Sequence, residues 1–171
     1  PLTTIEIETA PNPRATVLLM HGLGADGNDF VPIAKELDLS SVGPVRFVFP
    51  NAPVVPVTIN GGMRMPAWYD ILGADLAKRE DEAGLRTSRD AIEVLLAREK
   101  ERGIPAERIV IAGFSQGCAM ALLTGLRHLR DDRPSRRTAR ARRAAAVAAR
   151  GSCAAGSCTA RSGCRRRRAG R

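Results

Sequence analysis

Histidine, aromatic residues and long apolar runs are scarce in this sequence of 171 residues. It contains two histidines, one Trp, one Tyr and four Phe. No apolar run approaches the roughly 18 residues that a membrane-spanning helix requires. The N-terminal stretch PLTTIEIETAPNP has neither the basic region nor the apolar core of a signal peptide. We therefore expect one cytoplasmic domain without a membrane span.

Basic residues are unevenly distributed, and the excess lies at the C-terminal end. Residues 1–126 carry a net charge of −4, whereas residues 127–171 carry +13, with 15 Arg and no Lys. Residues 129–171 contain 14 Arg and 11 Ala, and their only large aliphatic residues are Leu129 and Val147. Such a segment cannot bury enough apolar surface to offset the entropy of ordering it. We predict a disordered, low-complexity tail over 129–171 and a folded region over 1–128.

The folded region shows the pattern of an α/β protein. Three short apolar runs are typical of buried strands, namely ATVLLM at 15–20, VRFVFP at 45–50 and RIVIAG at 108–113. Apolar residues recur at helical spacing over 31–39 and 84–102, and Gly103 follows as a stop signal. Strands that alternate with helices predict a largely parallel sheet with flanking helices.

The residues Gly113-Phe114-Ser115-Gln116-Gly117 match the G-x-S-x-G pattern of a nucleophile elbow. The pattern is common by chance, and a Gly-rich loop is the alternative. Here it follows a β-branched strand and precedes an apolar helix, which is the context that the motif requires. We therefore predict that Ser115 is exposed on a sharp strand-to-helix turn.

A second glycine-rich turn, His21-Gly22-Leu23-Gly24, follows the first apolar strand. In α/β-hydrolases the loop at this place donates one backbone N–H to the oxyanion, and the residue after the nucleophile donates the other. Leu23 and Gln116 are the candidate donors. The alternative is a strand-to-helix turn that needs glycine for positive φ.

For two other groups of residues, the aromatic pair Trp68 and Tyr69 and the cysteines, a purely structural role is the alternative to a functional one. Trp68 and Tyr69, in a loop rich in Gly and Pro, suit either an acyl pocket or core anchors, and without context we favour the core. Cys118 is expected to be a small buried residue. Cys153, Cys158 and Cys164 have no histidine nearby and match no zinc pattern well, so we expect no metal.

Together the stretches HGLGADGNDF, FPNAPVVPVTINGGMRMPAWYDI and IVIAGFSQGCAM resemble the phospholipase/carboxylesterase family. These α/β-hydrolases include bacterial carboxylesterases and acyl-protein thioesterases, and the resemblance covers roughly residues 3 to 128. It implies a serine carboxylic-ester hydrolase that forms an acyl-enzyme on Ser115. The implied substrates are small esters, thioesters or lysolipids, and no cofactor is implied.

The resemblance also implies roles for other residues. The Leu23 and Gln116 amides would form the oxyanion hole. The loop around Trp68 would border the substrate groove, which reverses the preference for the core, and Trp68 and Gly24 are the candidate substrate-binding residues. Cys118 stands where many members have Gly.

The general base of such an enzyme has no counterpart here. The family places its Asp and then its His after later strands, in the C-terminal third. His21 belongs to the oxyanion loop, and His128 lies 13 residues beyond Ser115. Asp131 and Asp132 are the only carboxylates of the tail, and no later histidine exists for them to orient. We therefore expect an incomplete α/β-hydrolase fold that lacks the triad Asp and His.

The tail composition suggests a reason. Arg, Ala, Gly and Pro have G/C-rich codons, so their dominance is what an out-of-frame reading of GC-rich DNA would give. We hypothesise a truncation or frameshift near residue 129, and the rival hypothesis is an evolved basic tail on a shortened protein.

Two functional alternatives follow: a catalytically dead remnant, or a polyanion-binding protein that acts through the Arg-rich tail. The tail has no interleaved aromatic residues, so specific nucleic-acid recognition is not expected. The sequence does not indicate an oligomeric state.

Overall fold

The computed structural model of the protein describes residues 1–73 and 80–131. The predicted tail falls outside the described residues from position 132 onward. The strands are β1 (Thr4–Glu8), β2 (Ala15–Met20), β3 (Val45–Pro50), β4 (Val54–Val57), β5 (Met63–Pro66) and β6 (Ile109–Gly113). The helices are α1 (Val31–Glu36), α2 (Glu82–Glu101) and α3 (Gln116–Asp131), and none in the described ranges is long and apolar enough to cross a membrane.

The main sheet has the strand order β1-β3-β2-β6. β2 pairs in parallel with both β3 and β6, and Leu18 of β2 is aligned with Val48 on one side and Ile111 on the other. The α/β fold with flanking helices is confirmed. The sequence analysis did not predict antiparallel β1 at one edge or the small antiparallel hairpin β4–β5.

Each face of the sheet supports its own apolar cluster, because successive side chains of a strand point to opposite faces. On one face Leu18, Val48 and Met120 pack with residues of α2, and Trp68 belongs to the same cluster. On the other face Phe47 and Phe49 stack with ring centroids 5.9 Å apart. The sheet is thus enclosed by helices in the α/β manner.

Helix α2 is fixed at both ends by features that the sequence contains. The Asp81 carboxylate accepts a hydrogen bond from the Gly84 N–H at 2.9 Å, which caps the first turn. Gly103 follows the last turn with φ of +88°, a conformation that favours glycine. Near this end the buried Glu99 carboxylate accepts from the Thr16 hydroxyl and from Arg46, each at 2.8 Å. These contacts anchor α2 to the sheet beneath it.

Candidate active site

Ser115 lies at the sharp turn between β6 and α3 and has a strained backbone. Its φ of +52° is in the left-handed region, which few residues other than glycine adopt. The Ser115 side chain is exposed, and its carbonyl accepts from the Cys118 N–H at 3.0 Å in the first turn of α3. Strain of this kind is typical of functional sites. The geometry is that of a strand–elbow–helix unit with the serine at its apex.

The two glycines that flank Ser115 allow the close packing that this turn needs. An added Cβ at Gly113 would lie 2.8 Å from the Cys118 backbone nitrogen. An added Cβ at Gly117 would lie 2.7 Å from the His21 carbonyl oxygen and closer still to that of Met20. Because real Cβ contacts are essentially never this short, the elbow requires glycine at both positions.

The loop His21-Gly22-Leu23-Gly24 lies directly against the elbow. A Cβ added to Gly22 would be 3.3 Å from the Ser115 Cβ. Gly24 has φ of +75°, and its N–H donates to the Pro66 carbonyl at 2.8 Å. Within residues 1–73 and 80–131, the backbone amides of Leu23 and Gln116 donate to no protein acceptor. The assignment of these two amides to the oxyanion hole stays a prediction.

The His21 imidazole is committed to structural hydrogen bonds and is fully buried. Its Nε2 accepts from the Ala52 N–H at 3.0 Å, so its Nδ1 carries the proton and donates to the Gly22 carbonyl at 2.7 Å. The ring also contacts Trp68, with centroids 5.3 Å apart. In this arrangement the Nε2 lone pair is engaged by the Ala52 N–H, so it does not accept a hydrogen bond from Ser115.

The second histidine is too far along α3 to reach the elbow. Helix α3 runs without a break from Gln116 to Asp131. At 1.5 Å per residue, the His128 backbone lies about 18 Å along the axis from the start of the helix. The described residues thus bring no histidine to Ser115 as a base.

Trp68 lies in the core rather than on a surface. Its side chain is 1% exposed, and its indole Nε1 donates to the His21 carbonyl at 2.8 Å. Its backbone carbonyl accepts a short hydrogen bond from Ser88, and its N–H donates to the Gln116 Oε1 at 3.1 Å. This position favours the core-anchor interpretation, and direct contact of Trp68 or Gly24 with substrate stays a prediction.

A groove of about 350 Å³ runs beside the Trp68 loop. Burial, followed by the negative charge of Glu80, raises the pKa of Tyr69 in this groove. Hydrogen bonds from Thr58 hold the pKa of Asp70 below its usual range. Ser115 is not among the described residues that line this groove, which are Pro53, Val55, Pro56, Trp68, Tyr69, Asp70, Asp81, Gly84, Thr87 and Ser88.

The expectation that Cys118 is buried was wrong, because its thiol is exposed. Over 116–127, where the burial of α3 is described, the buried positions are 116, 117, 120 and 124, which form one stripe. Cys118 lies instead on a second stripe with Leu122 and Leu126, at spacings of four residues, and this stripe faces away from the core.

The sequence analysis missed the part that the Gln116 side chain plays. Besides accepting from Trp68, it donates through Nε2 to the Tyr69 carbonyl at 2.9 Å. The sequence analysis assigned only a backbone role to this residue, because contacts between side chains and residues 47 or 48 positions away leave no periodic pattern in the sequence. Gln116 is the only glutamine in the chain, and it directly follows the candidate nucleophile.

The sheet order, the flanking helices and the serine-bearing elbow are those of the α/β-hydrolase class. A family model described as Phospholipase/Carboxylesterase matches residues 3–131, and the chain belongs to this family. Acyl-protein thioesterase 1 of Schizosaccharomyces pombe is 43% identical over 125 residues, which cover 73% of this chain and 55% of that protein. Acyl-protein thioesterase 1 of Mycosarcoma maydis is 48% identical over 124 residues, which cover 67% of this chain and 52% of that protein.

Solved structures show the same likeness. Arabidopsis thaliana SOBER1 is 30% identical with a TM-score of 0.61, over 65% of this chain and 54% of that one. Zea mays acyl-protein thioesterase 2 is 28% identical with a TM-score of 0.60, over 71% of this chain and 50% of that one. The chain thus spans about half the length of the curated relatives that it matches.

Proposed function

We propose that this chain contains the nucleophile half of a serine hydrolase site that acts on carboxylic esters and thioesters. Membership of the family supports the class of reaction, and the names of the acyl-protein thioesterases support an acyl group on oxygen or sulfur as the target. The observation that carries the proposal is the strained, exposed Ser115 at the elbow, together with the backbone amides of Leu23 and Gln116, for which the described residues provide no acceptor.

The chemistry follows from these groups. The Ser115 Oγ attacks the acyl carbonyl carbon, and the carbonyl oxygen gains negative charge that the two amides stabilise by hydrogen bonds. The alcohol or thiol leaves, and water then releases the acyl group from Ser115. The serine proton must pass to a base at the first step, and the described residues supply no histidine for that purpose. We infer that the chain alone is a very slow catalyst.

An added small base tests this proposal directly. The initial rate of p-nitrophenyl butyrate hydrolysis is measured with the 171-residue chain and increasing imidazole, and the rate with Ser115→Ala is subtracted at each concentration. We expect a Ser115-dependent rate that rises with imidazole. Ser41→Ala, at another exposed serine, should behave as the parent chain does.

Equal rates for the parent chain and Ser115→Ala at every imidazole concentration would contradict the proposal. A high Ser115-dependent rate without imidazole would instead show that another base acts. Retention on a polyanion through the Arg-rich tail and a cytoplasmic location stay predictions from the sequence.

A further inference from the structure

Two buried rings hold the backbone of residues 21–24, which we call the glycine loop. The His21 carbonyl accepts from the Trp68 indole Nε1–H at 2.8 Å. The Gly22 carbonyl accepts from the Nδ1–H of the His21 ring at 2.7 Å and, in a longer bond of 3.3 Å, from the Ala25 N–H. The side chains of His21 and Trp68 are 0% and 1% exposed, and their ring centroids lie 5.3 Å apart. Two successive carbonyls of the glycine loop therefore accept from the two members of one packed pair of rings.

The His21 ring also sets the direction of the Leu23 N–H. A peptide unit is planar, and in the trans form its C=O and N–H point in opposite directions. The Gly22 carbonyl and the Leu23 N–H belong to one such unit, and the described residues contain no cis peptide bond. Because this carbonyl is directed toward the His21 ring, the Leu23 N–H points away from it. The following unit is held as well, since the Gly24 N–H donates to the Pro66 carbonyl at 2.8 Å.

The same pair of rings is joined to the nucleophile elbow. The Gln116 backbone N–H is the other candidate donor of the oxyanion hole, and the Gln116 Oε1 accepts from the Trp68 N–H at 3.1 Å. Three hydrogen bonds thus run from Gln116 through Trp68 and His21 to the Gly22 carbonyl. On the elbow side, a Cβ added to Gly22 would lie 3.3 Å from the Ser115 Cβ. The two candidate donors are therefore held relative to each other by buried contacts on the core side of the elbow.

We propose that His21 and Trp68 are positioning residues of the hydrolase site. The His21 Nδ1–H prevents rotation of the peptide unit between Gly22 and Leu23, so that the Leu23 N–H is directed at the acyl oxygen of an ester that reacts with Ser115. Trp68 holds the preceding carbonyl and acts from the core. Donors fixed in advance stabilise the charge on this oxygen without reorganisation during the reaction. The inference rests on the proposed function and deepens it, because it names the side chains that hold one oxyanion donor.

Two substitutions of His21 separate positioning from a purely structural role, because each keeps one hydrogen bond of the ring. The amide of His21→Asn can take the place of Nδ1 and donate to the Gly22 carbonyl. The amide of His21→Gln can take the place of Nε2 and accept from the Ala52 N–H. The first variant leaves the buried Ala52 N–H unpaired, whereas in the second the Gly22 carbonyl keeps the Ala25 N–H. Stability alone therefore predicts that His21→Asn is at least as damaged as His21→Gln.

The test uses imidazole-assisted hydrolysis of p-nitrophenyl butyrate by the 171-residue chain, with the rate of Ser115→Ala subtracted. We expect His21→Gln and Trp68→Phe each to lower kcat at least about tenfold with KM within about twofold of the parent value, because the lost interaction acts on the transition state. His21→Asn should retain kcat within about threefold, because it keeps the donor. Phe47→Leu, at a buried ring on the other face of the sheet, should also retain it. Circular dichroism verifies that each variant is folded, and urea midpoints rank their stabilities.

The carbonyl carbon of Gly22 provides a measurement that needs no turnover. Isotope labelling of the glycine carbonyl carbon and the leucine nitrogen selects, by NMR, the three Gly-Leu pairs of the chain, at 22–23, 84–85 and 125–126. A hydrogen bond to a carbonyl oxygen deshields the carbon. The Gly22 signal should therefore move upfield in His21→Gln and stay near its parent position in His21→Asn.

Three results would overturn the proposal. They are a kcat that falls at least as far in His21→Asn as in His21→Gln, a kcat like that of the parent in either His21→Gln or Trp68→Phe, and a Gly22 signal that does not move in His21→Gln. A parent chain without any Ser115-dependent rate would instead contradict the proposed function. The Gly22 signal would then still decide whether the His21 ring holds the peptide unit, so the two failures are distinguishable.

Discussion

The side chain of Gln116 holds the backbone of Trp68 by a hydrogen bond of 3.1 Å from the Trp68 N–H to its Oε1. Its Nε2 donates at the same time to the Tyr69 carbonyl at 2.9 Å. One amide group thus satisfies a donor and an acceptor of the loop after β5. Because Gln116 follows Ser115, these bonds join the elbow to the loop that carries the indole.

Gln116→Met should destabilise the protein, because it leaves the buried Trp68 N–H and the Tyr69 carbonyl without their partner. We expect a loss of about 1–3 kcal/mol in the free energy of unfolding. Urea denaturation monitored by the emission of Trp68, the only tryptophan, measures it. Asn60→Leu removes an exposed amide and should change the free energy by less than about 0.5 kcal/mol. Equal losses of unfolding free energy in the two variants would show that the hydrogen bonds of the Gln116 side chain do not stabilise the protein.

Two glycines of α3 should respond oppositely to alanine. At Gly117 the added methyl group would overlap the carbonyl oxygens of Met20 and His21, and we expect a loss of at least about 3 kcal/mol or failure to fold. At Gly125 no atom of the described residues lies within 4 Å of the added carbon. There the substitution should stabilise the protein by about 1 kcal/mol, because alanine favours helix. Thermal unfolding followed by circular dichroism compares the stabilities of the two variants. A Gly117→Ala variant as stable as the parent chain would mean that the elbow is packed less closely than described.

The strain at Ser115 should be detectable by comparing two substitutions at that position. A residue with a side chain pays roughly 1–2 kcal/mol to adopt the left-handed conformation. Glycine avoids this penalty but loses more entropy on folding, so Ser115→Gly should be about 0.5–1 kcal/mol more stable than Ser115→Ala. At Ser41, whose φ is not positive, the order should reverse. The urea midpoints of the four variants measure these stabilities. If the glycine variant were the more stable one at both positions, strain at Ser115 would be excluded as the cause.

Acid should weaken the contact between β1 and the end of α2. Burial acts to raise the pKa of Glu6, but hydrogen bonding to Arg102 and the charges of Arg98 and Arg102 lower it on balance. A carboxylate with a depressed pKa stabilises the folded state above its ordinary value of 4.5, and this contribution is lost as pH falls below that value. The stability difference between the parent chain and Glu6→Gln should therefore shrink between pH 6 and pH 3.

Urea unfolding at a series of pH values measures this difference. Its size at pH 6 should be less than about 1 kcal/mol, because the ion pairs are partly solvated. Glu36→Gln, at an exposed position of α1, should unfold in parallel with the parent chain. A difference between parent and Glu6→Gln that persists unchanged at pH 3 would contradict the role of the charge.

The sequence predicted the features that depend on local pattern. β2, β3 and β6 are short apolar runs, and α2 has a helical period and the stop signal at Gly103, so their positions were predictable. The strand context of the G-x-S-x-G motif likewise predicted a turn at Ser115, although its φ of +52° required the structure.

Features that depend on tertiary packing were not predictable in this way. β1 pairs with β3 across about 40 positions, and nothing local in TIEIE distinguishes an edge strand from an exposed extended segment. The exposure of Cys118 follows from which side of α3 meets the sheet. The commitment of the His21 ring to Ala52 and Gly22 depends on contacts that the motif alone does not specify.

The most direct test of the account is the rate at which a fluorophosphonate modifies Ser115 in the 171-residue chain, followed by intact mass at neutral pH. The described residues bring no histidine to the elbow, and on this basis we predict modification several orders of magnitude slower than in the complete thioesterase of Schizosaccharomyces pombe under the same conditions. Rapid, stoichiometric modification that Ser115→Ala abolishes would show that a base does reach the elbow, and would contradict the account.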